Sequence, residues 1–389
     1  MKKNKLKNKV CVLTSGHEAF DIRIFYKECK SLFEAGYQVY LVAGSERDAA
    51  VDGINIVSVK PGRSRAYRFF VKGLSVLFKA IKLNADIIHF HDPDLIPAGL
   101  ILKLLGKKVI YDMHEDVPKD ILSKEWIGSP VIRRFVSLLF KSFLNFACLF
   151  FDGIIAATPG ISKGFPTDKT IVLRNVPYVS FIENIEPSPL IKTGFSVIYA
   201  GGLSEIRGIR QLIEAAGLLD DSVELWLMGG WEDPVYEKQC AQLAGWKRVR
   251  YFGEKTLEDT YSIMKRADIG IVNFLPVPNS VQSLPNKVFE YLVCKLPVVM
   301  SNFDYWKELF GECAVFADPF DPVSIAKKIR TLLDDRELRM KLVRAGAVLI
   351  ENEYSWESES KSLIDLYKRL TGGNSSETDN GAGEQAAVY

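Results

Sequence analysis

Short apolar, β-rich runs alternate with helix-patterned stretches twice over in this chain, once on each side of a proline-broken segment near residue 180. In the first half, Val10–Ser15, Gln38–Gly44, Ile54–Val59, Ile87–Phe90, Lys108–Met113 and Gly153–Thr158 read as strands. Between them, Arg23–Ala35, Arg65–Leu83, Pro97–Leu105 and Val131–Phe150 carry helical spacing, and glycines stand after two of them at Gly36 and Gly106. In the second half the strands are Ser196–Ala200, Val223–Met228, Val249–Phe252, Ile269–Asn273 and Pro297–Ser301. Alternation at this spacing predicts parallel, doubly wound α/β sheets. Runs such as Gly153–Ala157 are apolar on both faces, as strands covered by helices on each side must be.

Two such series in 389 residues predict two Rossmann-like units. The expected division is 1–176 for the first, 177–193 for a linker with three prolines, and 194–370 for the second. The polar, Gly-rich segment 371–389 is expected to be a disordered tail. The net charge of +2 conceals an asymmetry: residues 1–175 hold 27 Lys and Arg against 17 Asp and Glu, so the second half is acidic. A basic first unit suits an anionic partner. The six cysteines form no C-x-x-C pair and have no zinc spacing, which fits a reducing cytoplasm. No apolar run is long enough for a membrane span.

Two stretches of the second half carry chemistry. In Tyr199–Ile209 a strand enters Gly201 and Gly202, then Arg207, then a helix. Glycines admit a phosphate to the backbone, and a helix start offers free N–H groups. A plain strand–turn–helix reads the same way. In Ser280–Pro297, Gln282, Asn286 and Lys287 stand at a helix start, with Glu290 one turn in. A carboxylate there can accept ribose hydroxyls; a solvent-facing helical glutamate is the other reading. In the first half, Gly16, His17, Asp21 and Arg23 occupy the loop after the first strand, where Asp21 either meets substrate or caps the helix. His91 follows a strand, and His114 and Glu115 close another.

Together these stretches resemble the family 4 retaining glycosyltransferases of the GT-B fold, over about residues 10–370. The resemblance implies two Rossmann-like domains facing across a cleft, with acceptor bound by the first and nucleotide sugar by the second. It matches Gly201–Gly208 to the family's G-x-L-x-x-x-K/R-G, with Arg207 as its cation, and Glu290 to the second of two glutamates. The first of those falls on Gln282, and an arginine common after the first glycine is here Gly202. Lys287 is the candidate to replace that missing cation. His114 matches the strand-end histidine over the donor sugar, so His114, Arg207 and Lys287 are the expected catalytic groups. Gly201, Gly202, Gln282, Asn286 and Glu290 are expected on the donor. Gly16, His17, Asp21, Arg23, His91 and Glu115 are expected on the acceptor side. No Asp-x-Asp motif suggests a metal at the donor, and no metal or other cofactor is expected.

The implied activity is hexosyl or N-acetylhexosaminyl transfer, with retention, from a UDP- or GDP-sugar to a lipid-linked glycan in surface-polysaccharide synthesis. Basic and aromatic residues in Lys60–Lys82 and Trp126–Phe151 fit peripheral contact with an anionic membrane on its cytoplasmic face. Within the latter, residues 136–151 are expected to form an amphipathic helix buried against the sheet. No nucleic-acid motif occurs. Two alternatives remain open: a nucleotide-sugar epimerase or hydrolase of the same fold, and a non-catalytic subunit supporting a partner transferase.

Overall fold

The computed structural model describes residues 8–60, 72–277, 280–281 and 283–372. Two compact units divide after Asn175, and the chain returns to the first unit from Ser358. The basic cluster Arg63, Arg65 and Arg68, the donor candidate Gln282 and the tail beyond residue 372 lie outside the described residues.

The first unit is built on strands β1 (Lys9–Glu18), β2 (Gln38–Gly44), β3 (Ala49–Val51), β4 (Ile54–Val59), β5 (Ile87–Phe90), β6 (Lys108–Met113), β7 (Gly153–Ala156) and β8 (Thr170–Val172). They lie in the order β3–β4–β2–β1–β5–β6–β7–β8, parallel except where β3 meets β4. Val10–Leu13, Ile87–Phe90 and Gly153–Ala156 are buried without alternation, because the strands pack on both faces. The order reverses between β1 and β5, the place where doubly wound sheets take their ligands.

The second unit has β9 (Phe195–Ala200), β10 (Val223–Met228), β11 (Val249–Tyr251), β12 (Ile269–Val272), β13 (Val298–Ser301) and β14 (Ala314–Ala317). Their order is β11–β10–β9–β12–β13–β14, all parallel, with the reversal between β9 and β12. The sequence pattern passes over β3, β8 and β14, which are only three or four residues long. The expected linker contains a short helix, Val179–Glu183.

Two differences from expectation matter for the site. The helix after β1 begins with π-helical turns over Ile22–Cys29 before Lys30–Glu34 closes in α geometry. The last helix, Trp356–Leu370, was grouped with the second unit by sequence order, yet from Ser358 it belongs to the first. Leu363, Leu366 and Tyr367 are its buried stripe, and Glu359 takes bonds from the Arg174 backbone N–H and its Nε at 2.7 and 2.8 Å. The Leu366 methyls fill the space where a side chain at Gly153 on β7 would stand. Leu366→Ala should therefore leave a cavity in the first unit and cost about 2–5 kcal/mol, read from urea unfolding; a change within error would show that this helix is not part of that core.

Candidate active site

At the end of β9 the chain enters Gly201 with φ +139°, a backbone state that L side chains rarely adopt. A Cβ there would stand 2.1 Å from Lys287 Cε and 2.3 Å from its Nζ. The ammonium group therefore lies directly against bare backbone, 5.7 Å from the centre of the Tyr199 ring. Gly208, with φ +63°, turns the short Glu205–Arg207 helix into Ile209–Ala216, and a Cβ there would collide with Asn273. Arg207 stacks its guanidinium on Phe274, 4.0 Å from the ring centre. Neither Arg207 nor Lys287 pairs with a carboxylate among the described residues. Burial lowers the Lys287 pKa, Glu290 and Glu232 oppose the shift, and Arg207 adds to it. Two cations without a salt bridge among the described residues, beside glycine backbone, are an arrangement that suits a polyanion.

Lys287 and Glu290 share the helix Asn286–Val293, whose first turn carries no side-chain cap hydrogen bond among the described residues. Asn286 opens it and is exposed. Glu290 Oε1 accepts a hydrogen bond from the Tyr261 hydroxyl at 2.9 Å. Tyr261, on the helix Leu257–Met264, thus aims the carboxylate. No local pattern marked Tyr261 for this, because its partner is 29 residues away.

In the first unit the ends of β1, β5 and β6 gather a polar cluster. Asp92 accepts from the Thr14 hydroxyl at 2.6 Å and from the N–H groups of Ser15 and Gly16 at 2.8 and 3.1 Å. That network shapes the Gly16 loop from within. Asp21 caps the following helix, accepting from the N–H groups of Arg23 and Ile24, and stands 3.1 Å from His17 Nδ1. Of its two readings, the structure shows the cap.

Arg23, expected on the acceptor side, is instead a buried cross-link. Its Nε donates to Glu28 at 2.9 Å, its Nη2 to both oxygens of Asp112 at 3.0 and 2.9 Å, and its Nη1 to the Leu173 carbonyl at 3.1 Å. Arg23 and Glu28 are five residues apart, a spacing that π-helical turns align. Burial opposes the Asp112 charge, but Arg23 and the surrounding imidazoles hold its pKa well below the usual range. Burial and then the Asp112 charge push Glu28 well above its own, despite Arg23.

His91 is buried as well, its Nδ1 3.0 Å from His114 Nε2, so one proton serves both. His114 keeps part of its surface open, and burial lowers its pKa to about 4. It is a neutral imidazole at physiological pH, able to hydrogen-bond a hydroxyl without carrying charge. Glu115 is exposed beside it, and Gly16 and His17 reach the surface on the same side. Glu28 was not among the expected site residues; its only signal was a charged residue within the apolar helix pattern.

The family model "Glycosyl transferases group 1" matches residues 194–335, and "Glycosyltransferase Family 4" matches residues 23–164. This chain belongs to the family 4 glycosyltransferases. The O-antigen chain mannosyltransferase B of Escherichia coli is 28% identical over 181 residues, covering 44% of this chain and 45% of its own. The lipopolysaccharide core biosynthesis glycosyltransferase LpsD of Rhizobium meliloti is 28% identical over 178 residues, covering 45% and 50%. The chain thus spans about half the length of the curated relatives it matches. Sucrose-phosphate synthase from Thermosynechococcus elongatus superposes with a TM-score of 0.74 at 17% identity, over 95% of this chain and 100% of that one. HepE from Anabaena, solved with UDP and glucose, gives 0.68 at 16% over 93% and 100%. These likenesses establish the GT-B fold for the transferase.

The displaced His114 pKa has a consequence for stability. The unfolded chain takes up a proton here as pH falls below 6.5, whereas the folded chain waits until about 4. The contribution is complete above pH 6.5 and is lost as pH falls to about 4. The Tm of the His114→Gln variant should decline less over that interval than the wild type's, and equal declines would contradict a neutral buried imidazole.

Proposed function

We propose that this glycosyltransferase moves a sugar, with retention at the anomeric carbon, from a UDP- or GDP-sugar to a lipid-linked glycan. The observation that carries the reading is the bare backbone at Gly201 with Lys287 laid against it and Arg207 nearby. Positive charge without a partner in a desolvated setting is most valuable where negative charge develops, as on a departing diphosphate. Arg207, Lys287 and backbone N–H groups at the start of the Asn286–Val293 helix then stabilise the leaving group without a metal at the donor. Lys287 takes the place of the cation that Gly202 lacks. Glu290, aimed by Tyr261, accepts the ribose hydroxyls. Neutral His114 holds a sugar hydroxyl near the reacting carbon. Relatives named for O-antigen and lipopolysaccharide-core synthesis support a surface-polysaccharide product, and a neighbour solved with UDP and glucose supports the donor class.

The acceptor reading is supported by the helix Pro130–Phe150. Its expected burial against the sheet holds along one narrow edge, where Ser137, Leu144, Ala147 and Cys148 are buried and Phe140 packs on the core. Phe135, Leu138 and Leu149 are 60%, 63% and 64% exposed, and Val131, Leu139, Phe146 and Phe150 extend the same apolar surface. Trp126 is exposed just before the helix, and Arg134 and Lys141 stand among its apolar residues. So large an apolar surface on a soluble unit marks an interaction site. Aromatic and aliphatic groups among basic ones suit the headgroup region of an anionic bilayer. No helix among the described residues is long and apolar enough to cross a membrane, so the contact proposed is peripheral.

Thermal-shift screening against UDP, GDP, ADP and their sugars identifies the donor. With it, Glu290→Ala should weaken nucleotide binding roughly 10–100-fold, the loss of a charge-assisted hydrogen bond. His114→Ala should lower kcat about 100-fold with a smaller change in nucleotide affinity. Wild-type activity in both variants would overturn the assignment. In flotation with anionic liposomes, Leu138→Glu combined with Phe146→Glu should abolish co-migration while leaving nucleotide binding intact; unchanged flotation would remove this helix from the membrane contact.

A further inference from the structure

We propose that Glu28, His89, His91 and Asp112 bind one divalent metal ion of the zinc class in the interior of the first unit. One donor atom from each lies within 4.8 Å of the other three. His89 Nε2 is 3.6 Å from Asp112 Oδ2 and 3.9 Å from Glu28 Oε2, and His91 Nε2 is 3.5 Å from Glu28 Oε2. Four ligands at 2.0–2.2 Å around a tetrahedral zinc are separated by about 3.4 Å, so these atoms need only small movements to close on an ion.

Glu28 Oε2, His89 Nε2 and His91 Nε2 are buried and have no hydrogen-bond partner among the described residues. Buried polar atoms are almost always satisfied, and three unsatisfied ones facing a single point call for a shared occupant. The opposite ring nitrogens are engaged: His89 Nδ1 with the Tyr367 hydroxyl at 2.9 Å and His91 Nδ1 with His114 Nε2 at 3.0 Å. If each Nδ1 donates, each Nε2 presents a lone pair inward, which is how metal-binding histidines are held by their outer partners. Arg23 holds Glu28 through Oε1 and Asp112 through both oxygens, so Glu28 Oε2 is left open and Asp112 Oδ2 keeps its second lone pair for an ion. Two imidazoles and two carboxylates form a borderline donor set that suits Zn²⁺ or a neighbouring first-row ion. All four ligands are enclosed, so the ion is structural, tying the first helix to β5 and β6 and, through Tyr367, to the C-terminal helix. It departs from the metal-free chain expected from sequence.

The test uses the full chain, purified without chelator and without a metal-affinity tag. Elemental analysis should find about one zinc-class ion per chain, a stoichiometry set by one closed site. After chelation the Tm should fall, and Zn²⁺ should restore it. Co²⁺ should give the intense visible bands of a four-coordinate site. Glu28→Gln and His89→Gln should remove the bound ion. Because these variants alter buried groups that folding requires, Tyr367→Phe is the companion: it keeps the ring and deletes only the outer hydrogen bond. It should fold and bind Co²⁺ about 10–100-fold more weakly. Metal-free protein whose Tm responds to neither Zn²⁺ nor Co²⁺ would overturn the proposal and leave a shared proton or water as the occupant. Unchanged Co²⁺ affinity in Tyr367→Phe would overturn the placement at these residues.

Discussion

A guanidinium buried in the first unit has to be neutralised where it stands, and much of that unit is arranged around this requirement. Arg23 is almost wholly enclosed, and removing one partner of such a group leaves a charge with no solvent to screen it. Glu28 comes from its own helix, Asp112 from β6 and the Leu173 carbonyl from just beyond β8. Three segments far apart in sequence are thus held to one point. His89, His91 and His114 pack around the same carboxylates, and their tautomers follow from that packing. The open face of His114, where substrate chemistry is proposed, rests on a layer with little freedom to move.

The second unit solves a different problem. It holds Lys287 and Arg207 without a salt bridge to either among the described residues. Lys287 is partly desolvated, at some cost to its charged form, and Arg207 is steadied by the Phe274 ring. Glycine is required at position 201 twice over, for its backbone angle and because the lysine side chain occupies the space a Cβ would need.

Much of this was legible beforehand. The strand–helix alternation, the glycine-to-cation loop at Gly201–Gly208 and the helix-borne Glu290 are local patterns. Each depends on spacings of a few residues, which periodicity and turn chemistry reveal. Arg23 lies in a loop that the sequence marks, but its surroundings are set by distant segments. The π-helical turns that bring Glu28 beneath it, and the sheet that brings Asp112, are not local properties. The helix Pro130–Phe150 misled for a related reason. Its apolar residues are real, but periodicity counts them without saying which face the sheet covers.

The amino-acid sequence by itself determined the two doubly wound units and the polar residues at strand ends, and the likeness of its motifs to a known family supplied the reaction class. The units and strand ends follow from backbone geometry and residue chemistry acting over short separations. Only the tertiary structure decided that the last helix returns to the first unit, that Tyr261 aims Glu290, and that Lys287 rests on Gly201. It also decided that four ligand-type side chains converge beside Arg23. Each of these joins residues tens or hundreds of positions apart, where packing and the neutralisation of buried charge, rather than local pattern, select the partner.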